Sequence, residues 1–196
     1  MITSLPNLLT LSRILVIPVL VVLFFLPGEA AKWAALVLFT LAGITDYFDG
    51  YFARTRRQMS ALGRFLDPVA DKLLVASVIL LLVAFGRITD WTVLPALVIL
   101  CREILVSGLR EFLAGLRVRV PVSRLAKWKT GIQMVAIGFL IIGDSSPDFI
   151  PALAIGAAGL WIAAVLTLVT GYDYLRSGLK YMTAPERGRP GAGPRR

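Results

Sequence analysis

Asp46 and Asp49 are three residues apart, and Asp67 and Asp71 are four apart. On a helix each spacing puts both members of a pair on one face. Four carboxylates gathered at one place cannot all stay ionised without a cation, because each charge costs several kcal/mol when desolvated. The chain contains no histidine, and its one cysteine, Cys101, lies inside an apolar run. Nitrogen and sulfur ligands are therefore not on offer. An all-oxygen set suits Mg²⁺, Mn²⁺ or Ca²⁺, and such ions commonly hold phosphate oxygens. The neighbouring residues fit a phosphate-bearing ligand. Gly50 directly follows Asp49 and lets ligand atoms approach the backbone. Ala53 is small and shares the face of Asp49. Arg54 is placed to contact a diphosphate, while Arg56 and Arg57 read as topology signals. A single Asp pair is ordinarily a solvated helix end. Two pairs at adjoining ends of apolar segments are expected to be functional.

These carboxylates must be positioned by membrane helices. Of the 196 residues, 57% are hydrophobic, and mean hydropathy is +0.78. That is too apolar for an ordinary soluble domain. The apolar residues fall in six runs, near 8–26, 31–53, 69–86, 91–114, 127–143 and 150–176. Each approaches the roughly 20 residues that cross a bilayer as a helix. No alternating strand pattern is present, which argues against a β-barrel. The expected fold is an all-α membrane protein of six transmembrane helices. Residues 1–181 form one catalytic domain, and 182–196 form a basic, disordered cytoplasmic tail. A retained first span fits residues 14–26 better than a cleaved signal, because only Arg13 precedes the run as a basic flank.

The net charge of +9 would suggest nucleic acid in a soluble protein. Here the basic residues sit between apolar runs, which points to topology and anionic lipid, with no nucleic-acid partner. The links after the second and fourth runs and the C-terminal tail carry most of them. Both termini and both basic links are therefore expected in the cytoplasm, with the aspartates at that surface of the cell membrane. The absence of histidine excludes Ser-His-Asp catalysis and any phospho-histidine intermediate.

The spacing Asp46-x2-Asp49-Gly50-x2-Ala53-Arg54-x8-Gly63-x3-Asp67-x3-Asp71 resembles the signature of the CDP-alcohol phosphatidyltransferases at every defined position. The six-run pattern extends the likeness over almost the whole chain. The resemblance implies the fold of that family and transfer of a phosphatidyl group from CDP-diacylglycerol to an alcohol. It implies Asp46, Asp49, Asp67 and Asp71 as ligands of one or two Mg²⁺ or Mn²⁺ ions. Asp71 would also be the catalytic base that takes the acceptor's proton. Gly50, Ala53, Arg54, Ser60 and Gly63 would contact the CDP-lipid, and a homodimer is expected. Asn7, Thr10 and Arg13 recur every three residues and share a face of the first span. The resemblance adds Asn7 and Thr10 to the CDP-lipid contacts.

The acceptor is written less sharply. NLLTLSR, REILVSGLRE and KWKTGIQM resemble the bacterial family members that use glycerol 3-phosphate. A phosphate-bearing acceptor needs cations, and Arg110 and Lys129 are the candidates to hold it. Arg102 and Glu103, side by side near mid-membrane, read as a structural pair. Inositol phosphate, serine and phosphatidylglycerol are alternative acceptors. A divalent-cation transporter is the non-enzymatic alternative, although transporters place such groups near the midplane on broken helices.

Overall fold

A computed structural model describes residues 5–56, 61–116 and 124–183, with side chains described over 11–45, 66, 69–116 and 125–179. Every long element in it is a helix: α1 (Leu5–Phe25), α2 (Glu29–Arg56), α3 (Ala61–Ala84), α4 (Val93–Gly115), α5 (Arg124–Ile142) and α6 (Ala152–Thr183). Among the described residues there is no strand. Each expected apolar run is therefore found as one helix.

The ends differ from expectation at the charged junctions. The expected link 54–68 shrinks, because α2 continues through Arg56 and α3 already begins at Ala61. Gly63 thus lies within α3 rather than before it, and Asp67 is on its early turns. Hydropathy marks where a helix stops being apolar. A helix can continue past that point, since exposed charges are good helix formers and leave its hydrogen bonds intact. For the same reason α6 runs to Thr183, beyond the apolar run that ends near 176. Two short 3-10 turns, Asp90–Thr92 and Gly143–Ser145, close the links before α4 and after α5.

Packing follows from the residues on each inward face. α1 lies against both α2 and α3, while α6 packs along α5 and α4. Contacts of α2 with α5, and of α3 with α4 and α5, join these groups. Leu20, Phe39, Val78, Leu82, Ile99, Ile137, Leu140 and Leu160 form the shared interior. The α5–α6 interface depends on small residues: a Cβ at Gly159 would stand 2.7 Å from the Ala136 Cβ. Small residues of this kind let membrane helices approach closely where lipid gives no hydrophobic drive to associate.

The outer surface is apolar too. Leu15, Val22, Leu80, Ile104, Val135 and Val165 are all exposed, as side chains solvated by lipid would be. Among the described residues three helical segments are long and apolar enough to cross a membrane: Asp90–Gly115, Leu125–Ser145 and Ala152–Leu179. α1 adds a shorter apolar stretch, Leu11–Phe25. Trp91 and Trp128 are exposed near the starts of α4 and α5, where indole rings favour the membrane–water interface.

Candidate active site

Short links make successive helices run antiparallel, so the start of α1, the end of α2 and the start of α3 lie at one end of the molecule. The backbone there carries most of the expected site. Asp46, Asp49, Gly50, Ala53 and Arg54 fall on the last turns of α2, and Gly63, Asp67 and Asp71 fall on the first turns of α3. Both stretches are unbroken α-helix, so the three- and four-residue spacings keep their meaning. Asn7 and Thr10 lie on the first turns of α1, which touches both neighbours. The side chains of all these residues except Asp71 lie outside the described residues, and Ser60 lies outside them altogether.

Asp71 is described, and it opens onto an ionic network. Its carboxylate is partly exposed and accepts a 2.7 Å hydrogen bond from the Lys72 ammonium. The same ammonium is 2.5 Å from Glu103 Oε2 on α4. Glu103 Oε1 accepts from Arg102 Nη1 at 2.9 Å and also from Lys129 Nζ of α5. Arg102 Nη2 then donates to Thr170 Oγ1 of α6 at 3.1 Å. Thr170 in turn donates to the Leu166 carbonyl at 2.8 Å. One chain of polar contacts therefore runs from Asp71 through α3, α4, α5 and α6.

Local sequence explains how this is accommodated. Lys72 follows Asp71, which turns its long side chain about 100° away around α3, toward α4. Gly171, beside Thr170, leaves room for the guanidinium: a Cβ there would meet Arg102 Cγ and Nε at 3.0 Å. Glu103 and Lys129 are both buried. A carboxylate withdrawn from water this far requires cations in contact, and Glu103 has three.

The two expected acceptor contacts are not brought together by any described contact. Lys129 is buried against Glu103. Arg110 is exposed, and its guanidinium carbon lies 5.8 Å from the centre of the Tyr174 ring, a cation–π distance. The expected Arg102–Glu103 pair is present, but it belongs to a wider network than a local pair. Glu103 and Lys72 were not expected at the site. No local spacing marks them, and the available signal was a carboxylate standing in the middle of an apolar run. Gln133 lies one turn beyond Lys129 on the same face of α5. It is buried, and its Oε1 has no hydrogen-bond partner among the described residues.

Among the described residues no group of three or more His, Cys, Asp or Glu is arranged to hold a metal. Three of the four aspartates lie outside the described side chains, so this does not bear on them. What the structure contributes is the donor chemistry of Asp71: a carboxylate with one side open, on the helix face it shares with Asp67.

The sequence profile of the CDP-alcohol phosphatidyltransferases matches residues 3–169. The chain is 48% identical over 178 residues to a Rickettsia felis protein named CDP-diacylglycerol–glycerol-3-phosphate 3-phosphatidyltransferase, covering 91% of this chain and 97% of that one. A protein of the same name from Pseudomonas fluorescens is 42% identical over 188 residues, or 94% of each chain. Another from Cereibacter sphaeroides is 39% identical over 214 residues, covering 91% of this chain and 97% of that one.

Proposed function

The chain belongs to the CDP-alcohol phosphatidyltransferase family, and from that premise we propose that it transfers the phosphatidyl group of CDP-diacylglycerol to glycerol 3-phosphate, releasing CMP. The observation that carries the reading is the eight-residue aspartate signature, its members falling on α-helix at the end of α2 and the start of α3. The names of the relatives support the acceptor.

In this reading all six helices cross the cell membrane, residues 1–181 are the catalytic domain, and 182–196 are a cytoplasmic tail. The site faces the cytoplasm, where the basic links lie. Asp46, Asp49, Asp67 and Asp71 hold one or two Mg²⁺ or Mn²⁺ ions, and their hard oxygen donors fit those ions. When bound, the metal supplies charge stabilisation for the diphosphate and the departing CMP.

The protein's own residues do the rest. Arg54 binds the diphosphate, and Gly50, Ala53 and Gly63 leave room for the donor, with Ser60, Asn7 and Thr10 as polar contacts. Arg110 and Lys129 attract the acceptor's phosphate. The acceptor oxygen attacks the phosphorus that carries diacylglycerol. The new O–P bond forms as the bond to the CMP oxygen breaks, and the hydroxyl proton passes to the Asp71 carboxylate. A carboxylate is a weak base for a free alcohol. It suffices when proton transfer accompanies bond formation, because the alcohol becomes far more acidic. Asp71 is partly exposed, and beside its hydrogen bond from Lys72 it keeps one side open toward the acceptor.

The test is CMP release by purified protein in detergent with CDP-diacylglycerol, Mg²⁺ and a panel of acceptors. Release with glycerol 3-phosphate but not with inositol phosphate, serine or phosphatidylglycerol is expected. Release with a different alcohol would replace the acceptor while keeping the chemistry. Divalent-cation flux into liposomes without CMP release would overturn the enzyme reading.

A further inference from the structure

We propose that Glu103 is a positioning residue for the acceptor's phosphate: it gathers Lys72, Arg102 and Lys129, from three different helices, into one cationic site beside Asp71. This rests on the acceptor reading above and deepens it.

The stoichiometry of the cluster is the first argument. Lys72, Arg102 and Lys129 all touch Glu103. A carboxylate placed only to neutralise a buried cation needs one partner. Among the described residues three cations meet one carboxylate, and counting Asp71 still leaves them three to two. Excess positive charge inside a bundle of apolar helices is costly unless a further anion shares it. A phosphate dianion is such an anion, and ammonium and guanidinium groups are its usual partners.

Placement is the second argument. Glycerol 3-phosphate carries its reacting hydroxyl and its phosphate at opposite ends of a three-carbon chain. With the hydroxyl at Asp71, the phosphate must find cations a short way off. Lys72 touches Asp71 at 2.7 Å and Glu103 at 2.5 Å, so the cluster begins one side chain from the base. An unused donor belongs to the cluster: Arg102 Nε is buried without a hydrogen-bond partner among the described residues. Glu103 itself would not touch the acceptor. It would act by holding the three cations at convergent positions that separate helices could not keep against mutual repulsion.

Two substitutions in the full-length protein test this, with CMP release measured against glycerol 3-phosphate concentration and against CDP-diacylglycerol concentration. Glu103→Asp keeps the charge but draws the carboxylate back by one methylene, too short to reach all three cations. We expect the KM for glycerol 3-phosphate to rise about tenfold or more, with the KM for CDP-diacylglycerol unchanged. Glu103→Gln separates positioning from simple electrostatics by sign. Losing a negative charge beside an anion site would, through charge alone, lower the acceptor KM. Loss of positioning raises it. A raised acceptor KM in both folded variants, with unchanged donor KM, supports the proposal. An acceptor KM that is unchanged in Glu103→Asp, or lowered in Glu103→Gln, overturns it and leaves the acceptor reading standing. A wild-type protein that does not respond to glycerol 3-phosphate overturns both.

Discussion

At the scale of single residues, Asp71 carries the sharpest expectation. Asp71→Asn keeps the size and most of the hydrogen-bonding shape of the side chain but cannot take a proton. General bases contribute about 10²- to 10⁴-fold to rate, and turnover should fall by that amount while CDP-diacylglycerol binding persists. Turnover near the wild-type rate would remove Asp71 from the role of base. The same residue shows what the chain's chemistry disclosed in advance. The i, i+3 and i, i+4 aspartate spacings hold because the backbone there is continuous helix. Glu103 could not be read in the same way. Its partners Lys72 and Lys129 lie 31 and 26 positions away, and contacts between helices leave no periodic trace in local sequence. Arg110 is similar: it is exposed and lies over the Tyr174 ring of α6, 64 positions on, and such a contact leaves no local trace either.

At the scale of elements, six apolar runs became six helices, so element type and number were legible from hydropathy. Their ends were not, because α2, α3 and α6 extend into charged sequence that reads as link or tail. Which helices pack together was also hidden, since the close approach of α5 and α6 depends on glycines that a hydropathy profile scores as neutral. Gly159→Leu tests that contact. The added side chain would meet Ala136, and overpacking of a tight core costs about 1–3 kcal/mol. We expect a lower midpoint of thermal unfolding in detergent for this variant. The same substitution at Gly115, where a Cβ meets nothing within 4 Å, should leave the midpoint near the wild-type value. Equal midpoints for wild type and Gly159→Leu would mean that the α5–α6 interface yields more readily than its geometry suggests.

At the scale of the whole molecule, a chain of charged contacts crosses an otherwise apolar bundle. Hard-ligand chemistry of the aspartates predicts the effect of chelation. EDTA should stop CMP release, and added Mg²⁺ or Mn²⁺ should restore it; activity that persists in metal-free protein would count against the aspartates as ligands. The expected homodimer belongs to this scale also, and the mass of the protein in detergent would decide it.

The network through Glu103 has a bearing on how the protein enters the bilayer. Helices of a polytopic chain are made in order, and each buried charge is a burden until its partner arrives. Lys72 of α3 and Glu103 of α4 are opposite in sign and sit on successive helices. If α3 and α4 both cross the bilayer, as proposed above, those two insert as a hairpin whose charges neutralise each other at once. Arg102 comes with the hairpin already paired to Glu103, and Thr170 of α6 accepts its second hydrogen bond only after the last helix is synthesised. Lys129 of α5 arrives between these events and finds Glu103 already in place. The Glu103 carboxylate is thus the shared partner of cations from three successive helices, and α6 adds the last contact by accepting a hydrogen bond from Arg102.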